Sequence, residues 1–486
     1  MTSRTKSIKR NFILNFIFTV SGIVFPLLAF PYASRILLPE GTGKVAFVSS
    51  IVSYFTMIGM LGVPVYGIRA CAKVRNDKKL LSKTVFEIFI LNSITMLLSL
   101  LLYFITIVSL PRLSELKTLF YINSLTLILN LFGFDWLYKA LEEYEFITKR
   151  TVLIKCFALI LLFFLVKEST DYTEYSIILI MASTGSYVFN FLNLRKVIDF
   201  SNIGNLKFFH HLKPMFTFFI MAVATTIYSS LDAIMLGFIS GDQSVGYYNA
   251  AINIKNVLLS MITSLGAVLL PRLSVYVQQQ KFDEFRTLTL QALQFVVYTS
   301  IPLTFYFIIF AESSIYFLSG IAYYGSVLPM QVVMPTLFLV GISNLIGIQI
   351  LVPLDKETVV VKSVCIGAVV NLLINVLLIP IFGAVGAAVG TLVAEIFVTA
   401  YQLYYLRTFL KDIIIQIKWK NILISTVLAS ILVYIFREVN NFESPLIVLI
   451  LSSIIFGMIY GIVLILMKDD ALILLVKGLK SKNEKL

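Results

Sequence analysis

The chain has 486 residues, of which 59% are hydrophobic and only 13% charged, and its formal net charge is +13. Its mean hydropathy is +0.92. About a quarter of the residues of a soluble domain are charged, so this composition excludes a soluble protein. Apolar windows of about 20 residues recur, each long enough to span the membrane, and the short alternating strands of a barrel are not seen. We therefore expect an all-α polytopic membrane protein.

Fourteen apolar segments are predicted to cross the membrane. Pro26 and Pro31 interrupt the first and can bend it, because each removes a backbone hydrogen bond. This segment is too long for a signal peptide and lacks a small-residue cleavage site. The predicted domains are a six-helix bundle at residues 1–200, a second at 201–412, and two further helices with a cytoplasmic tail at 413–486. The predicted spans are roughly residues 12–34, 44–66, 85–108, 118–138, 150–166, 175–194, 214–238, 246–270, 288–310, 327–352, 363–380, 383–406, 421–436 and 445–467.

Positive charge sorts the connections between these spans onto two sides. With both termini on one side, 31 of the 39 Lys and Arg lie there, 6 lie on the other side, and Lys155 and Lys255 remain within spans. Because basic loops stay in the cytoplasm, we predict that both termini are cytoplasmic. Anionic headgroups of the bilayer, and not nucleic acid, then explain the basic surplus. The opposite loops are short, which argues against an enzyme acting on an extracellular polymer.

An internal repeat relates spans 1 and 2 to spans 7 and 8 at an offset of about 200 residues. Each pair reads as a long helix, a Gly-containing turn, a second long helix, and a proline close to an arginine: Pro64 and Arg69, then Pro271 and Arg272. Each half of the repeat contains six spans, which is an even number. Both halves therefore start on the same side of the membrane, and the repeat is parallel. Repeats of this kind commonly enclose a transport pathway.

Little in the sequence points to catalysis or to a metal. The three cysteines lie far apart, and the two histidines, His210 and His211, are too few for a zinc site or a His-based dyad. No Walker motif is found. The glycines of "FGAVGAAVG" favour close helix packing over a phosphate cradle. We predict no enzyme activity, no cofactor and no metal site.

Four segments carry a family resemblance that covers nearly the whole chain. They are "NFILNFIFTVSGIVFPLLAFPYASRILLPEGTGKVAF", "LFGFDWLYKALEEYEFI", "GYYNAAINIKNVLLSMITSLGAVLLPRLS" and "NLLINVLLIPIFGAVGAAVGTLVAE". Together they resemble the polysaccharide transporter family, the bacterial flippases for O-antigen and capsule repeat units. That family belongs to the multidrug/oligosaccharidyl-lipid/polysaccharide exporter (MOP) superfamily, which also holds the multidrug and toxin extruders (MATE) and the lipid II flippases.

The resemblance implies a MATE-like fold of two six-helix bundles around a central cavity, with two appended helices. It implies an undecaprenyl-pyrophosphate-linked oligosaccharide as cargo, moved from the inner to the outer leaflet of the bacterial cell membrane by alternating access. By similarity to the lipid II flippases, basic residues of spans 1, 2 and 8 would line the cavity. A proton or sodium ion is the candidate coupling ion, and the polysaccharide polymerase and chain-length machinery are candidate partners.

Such a cargo needs a polar cavity for the sugars and a fixed cation for the pyrophosphate, because an unpaired charge at low dielectric is unfavourable. Four spans carry polar residues along one helix face. Hydrogen bonds between helices would also explain each stripe, but stripes in matching helices of both halves favour a polar lumen. The stripes are Ser49, Ser53 and Thr56; Thr225, Tyr228, Ser229 and Asp232; Asn249, Asn253, Asn256, Ser260 and Thr263; and Thr391, Glu395, Thr399 and Gln402. Ser229, Asp232 and the three asparagines are candidate cargo contacts.

Basic residues are further candidate contacts for an anionic cargo. Lys255 lies about nine residues, or roughly 14 Å, into span 8, too deep to reach the headgroups, so we predict a contact with pyrophosphate or a carboxylate. It lies about 120° around the helix from the asparagines, which leaves pairing with a buried carboxylate open. Arg35 is either a gate residue at the outer end of span 1 or an interfacial arginine. Lys44, Arg69 and Arg272 are candidate contacts, with interfacial or positive-inside roles as the alternative.

Two carboxylates are candidate ion-coupling residues. Glu395 lies about 12 residues into span 12, near mid-membrane, where Asn371 and Asn375 offer structural hydrogen bonds instead. Asp135 lies near the inner end of span 4, and an ion pair with Lys139 four residues later is the alternative.

The charge balance favours an anionic cargo. Spans 1, 2 and 8 carry Arg35, Lys44 and Lys255, and the nearest carboxylate is Glu40 in a turn. An ion-coupled multidrug or organic-cation antiporter of the same fold would favour uncompensated acid, and a membrane transferase would need clustered acids or histidines. A lipid II flippase stays open, although "FDWLYKALEEY" and "LLPRLS" look more like the polysaccharide branch.

Overall fold

The computed structural model describes residues 8–199, 206–264, 266–440 and 444–469, and within these ranges it contains helices and no β-strand. Arg4, Lys6, the basic residues after Asp469, and the side chains of Lys9 and Thr225 lie outside the described residues. Nine helices in the described ranges are long and apolar enough to cross a membrane, or eleven when two bent helix pairs are each taken as one span. The protein is therefore an all-α multi-pass membrane protein, as predicted, and the count of fourteen spans stays a prediction.

The helices form two compact units, Met1–Gly246 and Tyr247–Leu486. The first unit contains α1 (Ile8–Met60), α2 (Val63–Val74), α3 (Lys78–Ser109), α4 (Pro111–Ser114), α5 (Lys117–Leu131), α6 (Asp135–Ala140), α7 (Tyr144–Leu165), α8 (Tyr172–Ile180), a π-helical turn (Met181–Gly185), α9 (Tyr187–Val197), α10 (Phe209–Ile239) and the start of α11 (Asp242–Thr263). The second contains the rest of α11, α12 (Gly266–Gln278), α13 (Phe282–Ile309), α14 (Ala311–Ser319), a 3-10 turn (Ile321–Ser326), α15 (Val327–Val333), α16 (Thr336–Asn344), a second π-helical turn (Leu345–Leu351), α17 (Glu357–Phe382), α18 (Ala384–Tyr405), α19 (Arg407–Ile415), α20 (Trp419–Val439) and α21 (Pro445–Leu466).

Helix α1 contains two predicted spans joined at one residue. Its 53 residues would extend about 80 Å, more than twice the thickness of a hydrocarbon core. The backbone stays helical at Pro26 and Pro31 and departs at Leu38, with φ 60° and ψ 176°. Leu38 precedes Pro39, and a proline disfavours the helical conformation of the residue before it. The predicted turn between spans 1 and 2 is therefore a break at a single residue with positive φ.

Breaks in the helices recur at a constant spacing. Leu38 and Gly241 both have positive φ and lie 203 residues apart. Helices α2 and α12 begin at Val63 and Gly266, again 203 residues apart. The equal spacing supports the internal repeat, which stays a prediction.

Helix α10, the predicted first helix of the second bundle, packs inside the first unit. Ser53 Oγ of α1 donates a hydrogen bond of 3.2 Å to Ser230 Oγ of α10. The hydroxyl of Tyr54 donates to the carbonyl of Ile227 at 3.3 Å. The boundary between the two compact units thus lies after Gly246. The boundary predicted from the repeat lies one helix earlier, before α10. The predicted domain ranges describe the repeat and are not tested by this division.

The last two helices pack against α13 within the second unit. Tyr306, Phe310, Ala429, Val433 and Phe456 form one buried cluster. The Tyr306 hydroxyl donates to the carbonyl of Leu449 at 2.9 Å. Helices α20 and α21 are therefore an appended pair anchored on the second unit.

Candidate functional site

A cavity of about 730 Å³ lies within the first unit. Parts of α1, α2, α5, α7, α8 and α10 and the π-helical turn surround it. Its hydroxyl and amide groups come from Ser49, Ser53, Thr56, Asn123, Thr126, Asn130, Ser183, Thr226, Ser229 and Ser230. Such groups hydrogen-bond both water and sugar hydroxyls, so this part of the wall can contact a polar, uncharged group.

Lys155 is the charged residue among the described residues that line this cavity. It lies near the middle of the 22-residue helix α7, so roughly 16 Å of helix separates it from either end. The side chain is half-buried, and its Nζ donates to Ser21 Oγ of α1 at 3.4 Å. Within the described part of the chain no carboxylate pairs with Lys155. An ammonium at this depth without a counter-ion is unfavourable, and an anion that entered the cavity would be stabilised beside Lys155.

The span-2 stripe faces this cavity. Ser49, Ser53 and Thr56 all line it, because their spacing places them on one face of α1. Thr56 Oγ1 is buried and has no hydrogen-bond partner in the described ranges. Ser229 of the span-7 stripe also lines the cavity, and its hydroxyl donates to the carbonyl of Thr226 at 3.2 Å. The whole span-2 stripe and one residue of the span-7 stripe, Ser229, therefore contribute to the described wall of this cavity.

Aromatic and aliphatic side chains complete the wall. Phe25, Met57, Met60 and Phe218 are among them. A second cavity of the first unit, about 840 Å³, is lined mainly by such residues, with Arg195 as its charged member. It lacks the hydroxyl and amide groups that a sugar requires, so the cavity around Lys155 is the better candidate.

Three predicted basic contacts of the first unit lie outside the cavity lining. Lys44 pairs with Glu40 at 2.8 Å, and its Nζ lies 5.1 Å from the ring centroid of Tyr172. Arg35 is exposed. Arg69 is also exposed, and its guanidinium lies 5.6 Å from the ring of the cavity residue Phe218. Lys44 thus has a carboxylate partner and Arg69 lies near a cavity residue, and the roles predicted for all three stay predictions.

Asp135 takes part in a buried network and does not pair with Lys139. Its carboxylate forms an ion pair with Arg150 of α7 and accepts a hydrogen bond of 2.9 Å from Asn190. Arg150 is 6% exposed and also donates to Ser186. Lys139 instead lies over the ring of Phe18, at 5.4 Å. The alternative of an i,i+4 pair is thus wrong in its partner, and the ion-coupling role of Asp135 stays a prediction. Asp232, the other predicted acid of this unit, is 5% exposed.

The remaining predicted residues lie in the second unit. Lys255, Asn249 and Asn253 are half-buried on α11, whereas Asn256 and Arg272 are exposed. Their roles in cargo binding stay predictions.

Most of the span-12 stripe serves contacts between helices. The hydroxyls of Tyr248 and Thr391 lie 2.8 Å apart. Thr399 donates to a carbonyl of α16 at 3.1 Å, and Gln402 donates to Ser363 at 2.9 Å. Glu395 lies between these residues and is 6% exposed. The structural alternative therefore accounts for three of the four stripe residues.

Sequence reasoning noted Lys155 as a charge within a span but did not select it. The available signal was its position, midway along an apolar helix. That the hydroxyls of three other helices and of the π-helical turn meet around it follows from tertiary packing, which periodicity alone does not show.

Comparisons with known proteins agree with this architecture. The family model described as "Polysaccharide biosynthesis protein" matches residues 8–277. Two curated relatives, each named "Putative O-antigen transporter", come from Escherichia coli K12 and Shigella dysenteriae. The first is 26% identical and spans 84% of this chain and 98% of its own length. The second is 25% identical and spans 81% and 99%.

Two solved structures share the fold. The lipid II flippase MurJ, in an inward closed conformation, has a TM-score of 0.76 at 15% identity and covers 93% of this chain and 99% of its own. An inward-facing multidrug resistance MATE family transporter of the MOP superfamily has a TM-score of 0.62 at 12% identity, covering 82% and 96%. These identities support the fold alone. With the family model matching more than half of its residues, the chain belongs to the polysaccharide biosynthesis protein family, as a polysaccharide transporter of the MOP superfamily.

Proposed function

We propose that this protein is a flippase that moves a polyprenyl-pyrophosphate-linked oligosaccharide from the cytoplasmic to the outer leaflet by alternating access, for surface polysaccharide synthesis. The relatives named above are transporters, which supports a transport function over an enzymatic one. A bacterial inner membrane with both termini in the cytoplasm is part of the proposal and rests on the distribution of Lys and Arg.

The observation that carries the proposal is the pairing of a hydroxyl-lined cavity with one unpaired lysine. The described lining includes Lys155 and no Asp or Glu. An oligosaccharide would exchange hydrogen bonds with the serines, threonines and asparagines, and the pyrophosphate would form a charge-assisted contact with the ammonium. Arg69, whose guanidinium lies 5.6 Å from the ring of the cavity residue Phe218, would be a second contact for the same anion.

Two other cargoes fit less well. A cation antiporter would require an acid in the cavity, because an organic cation needs a counter-charge at low dielectric. Lipid II shares the pyrophosphate and the lipid tail, so this cavity would also suit it. The curated relatives are named as O-antigen transporters, and this favours the polysaccharide repeat unit. Glu395 and Asp135 are kept as candidate coupling residues for a proton or sodium ion.

The test replaces Lys155 in a strain that lacks the chromosomal gene. Lys155→Ala should reduce surface polysaccharide by roughly tenfold or more, since it removes the one charged side chain in the described lining of the cavity. The lipid-linked intermediate should accumulate in the cytoplasmic leaflet. Lys155→Arg keeps the charge and should restore part of the export.

Lys149→Ala is the matched control, because Lys149 lies on the same helix but is exposed and pairs with Glu145 at 2.7 Å. It should export normally at equal protein level in the membrane. Normal export by Lys155→Ala would remove this lysine from the mechanism. Accumulation of lipid II in the deletion strain would identify the other cargo.

A further inference from the structure

A second group of chemically active side chains lies in the first unit, away from the cargo cavity. His210 and His211, the two histidines of the chain, occupy the first turn of α10 and meet Glu87 of α3. Glu87 and His211 are each 2% exposed, whereas His210 is exposed. One potential ligand atom from each of the three residues lies within 4.8 Å of the other two. None of the three lines the cavity around Lys155.

In both buried residues of this group, Glu87 and His211, the second polar atom of the side chain also has a hydrogen-bond partner. His211 Nε2 lies 2.9 Å from Glu87 Oε2, and its Nδ1 lies 2.5 Å from the hydroxyl of Tyr66 on α2. The other carboxylate oxygen, Glu87 Oε1, accepts the backbone N–H of Lys207 at 2.6 Å. In metal sites, outer hydrogen bonds of this kind fix the tautomer of a ligating histidine and orient a ligating carboxylate.

We propose that Glu87, His210 and His211 bind a divalent transition-metal ion of the zinc class. The metal would replace the proton shared by His211 Nε2 and Glu87 Oε2, while Nδ1–H donates to the Tyr66 oxygen. Two imidazoles and one carboxylate suit Zn²⁺ or Co²⁺ and are a poor set for Mg²⁺ or Ca²⁺. A water on the exposed side of His210 would complete a tetrahedron.

The present separations allow this with a small movement. Ligand atoms around a tetrahedral zinc lie about 3.3 Å apart, given bonds of about 2.0 Å. His211 Nε2 and Glu87 Oε2, at 2.9 Å, would have to separate by only about 0.4 Å to reach that spacing. The ring centroid of His210 lies 3.8 Å from that of His211. Because His210 is exposed, its side chain can rotate and shorten the remaining distances between the ligand atoms.

Metal binding would tie three helices together at one end of the first unit. Glu87 belongs to α3, the histidines to α10, and Tyr66, the outer hydrogen-bond partner, to α2. The charge bias predicts that this end faces the cytoplasm. The proposal does not depend on the identity of the cargo.

Binding is tested on the full-length protein purified with a tag that contains no histidine and stripped of metal by a chelator. Titration with Zn²⁺ alone should give one ion per chain with a dissociation constant of roughly 1 µM or below. Co²⁺ should give the visible absorption of a tetrahedral site. Zinc should also raise the melting temperature, because a ligand that binds only the folded state stabilises it.

Three variants decide the assignment. Glu87→Gln and His210→Ala should each weaken Zn²⁺ binding at least about tenfold, and the exposed position of His210 makes its variant the safer one for folding. Glu142→Gln is the matched control, since Glu142 is an exposed acid that pairs with Arg75, and it should bind like the wild type. The proposal is overturned by a wild-type protein that binds no zinc at 100-fold this concentration, or by equal binding in wild type, Glu87→Gln and His210→Ala.

Discussion

At the scale of single residues, two lysines lie deep within membrane helices. Lys155 on α7 lines the hydroxyl-rich cavity of the first unit and approaches Gly22 and Ser21 of α1. Lys255 on α11 belongs to the second unit and is half-buried. A lysine at such depth is a candidate functional residue in either case, but only Lys155 has a described polar cavity around it.

The predicted role of Lys255 can be tested separately. Lys255→Ala should abolish surface polysaccharide while the protein still reaches the membrane, because the pyrophosphate would lose one of its cations. Surface staining and membrane immunoblots measure the two quantities. Lys281→Ala, at an exposed lysine before α13, is the control. Export equal to wild type would exclude Lys255 from the pathway and leave Lys155 as the mechanistic lysine.

The sequence indicated residue types better than residue partners. It placed Ser49, Ser53 and Thr56 on one helix face, since 3.6-residue periodicity is a local property, and this face lines the cavity. It could not pair Asp135 with Arg150, nor bring Glu87 to His211, 124 positions away. Those contacts depend on which helices pack together, and the hydropathy of a sequence does not predict that.

At the scale of helices, small residues set the distance between α17 and α18. A Cβ on Gly386 would lie 2.4 Å from the carbonyl oxygen of Leu378, which is backbone and cannot turn away. Asn375 packs equally close to Gly390. Membrane helices associate largely through such close contact, because lipid offers no hydrophobic driving force between them. The expectation of close packing at "FGAVGAAVG" is therefore met at these two glycines.

Gly386→Ala should destabilise the protein by about 1–3 kcal/mol, the usual penalty for overpacking. Thermal unfolding in detergent, followed by intrinsic fluorescence, measures this as a lower melting temperature. Gly457→Ala on α21 is the matched control, because an added Cβ there meets no atom within 4 Å. Equal melting temperatures for the two variants would show that α17 and α18 are not held at this distance.

The sequence predicted a turn after span 1 and another after span 7, because proline and glycine act on the backbone locally, although it assigned the bend of span 1 to Pro26 and Pro31. Pro39 forces Leu38 out of the helix, and Gly241 supplies the corresponding turn 203 residues later. The sequence did not predict that α10 packs within the first unit. That placement depends on contacts such as Ser53 with Ser230, which a repeat-based boundary does not anticipate.

At the scale of the whole molecule, the amino-acid composition and its pattern were sufficient to predict an all-α membrane protein. A chain with 13% charged residues and recurrent apolar windows can bury its backbone polar groups in lipid only as helices or a closed barrel, and the pattern is helical. The number of crossings is harder to predict, because polar helices that line a cavity lose the apolar signal. Helix α7 is an example: Lys149, Arg150 and Lys155 lie along it, and it is not among the nine apolar spans.

The central claim is that Lys155 holds the anionic group of a lipid-linked sugar during its passage. The most direct measurement reconstitutes the protein in vesicles with the lipid-linked intermediate extracted from the deletion strain. An impermeant enzyme or reagent then reports the rate at which the sugar crosses. The account predicts crossing by wild type and by Lys149→Ala, and a rate at least about tenfold lower for Lys155→Ala. An unchanged rate for Lys155→Ala, or a wild-type rate no higher than that of empty vesicles, would contradict it.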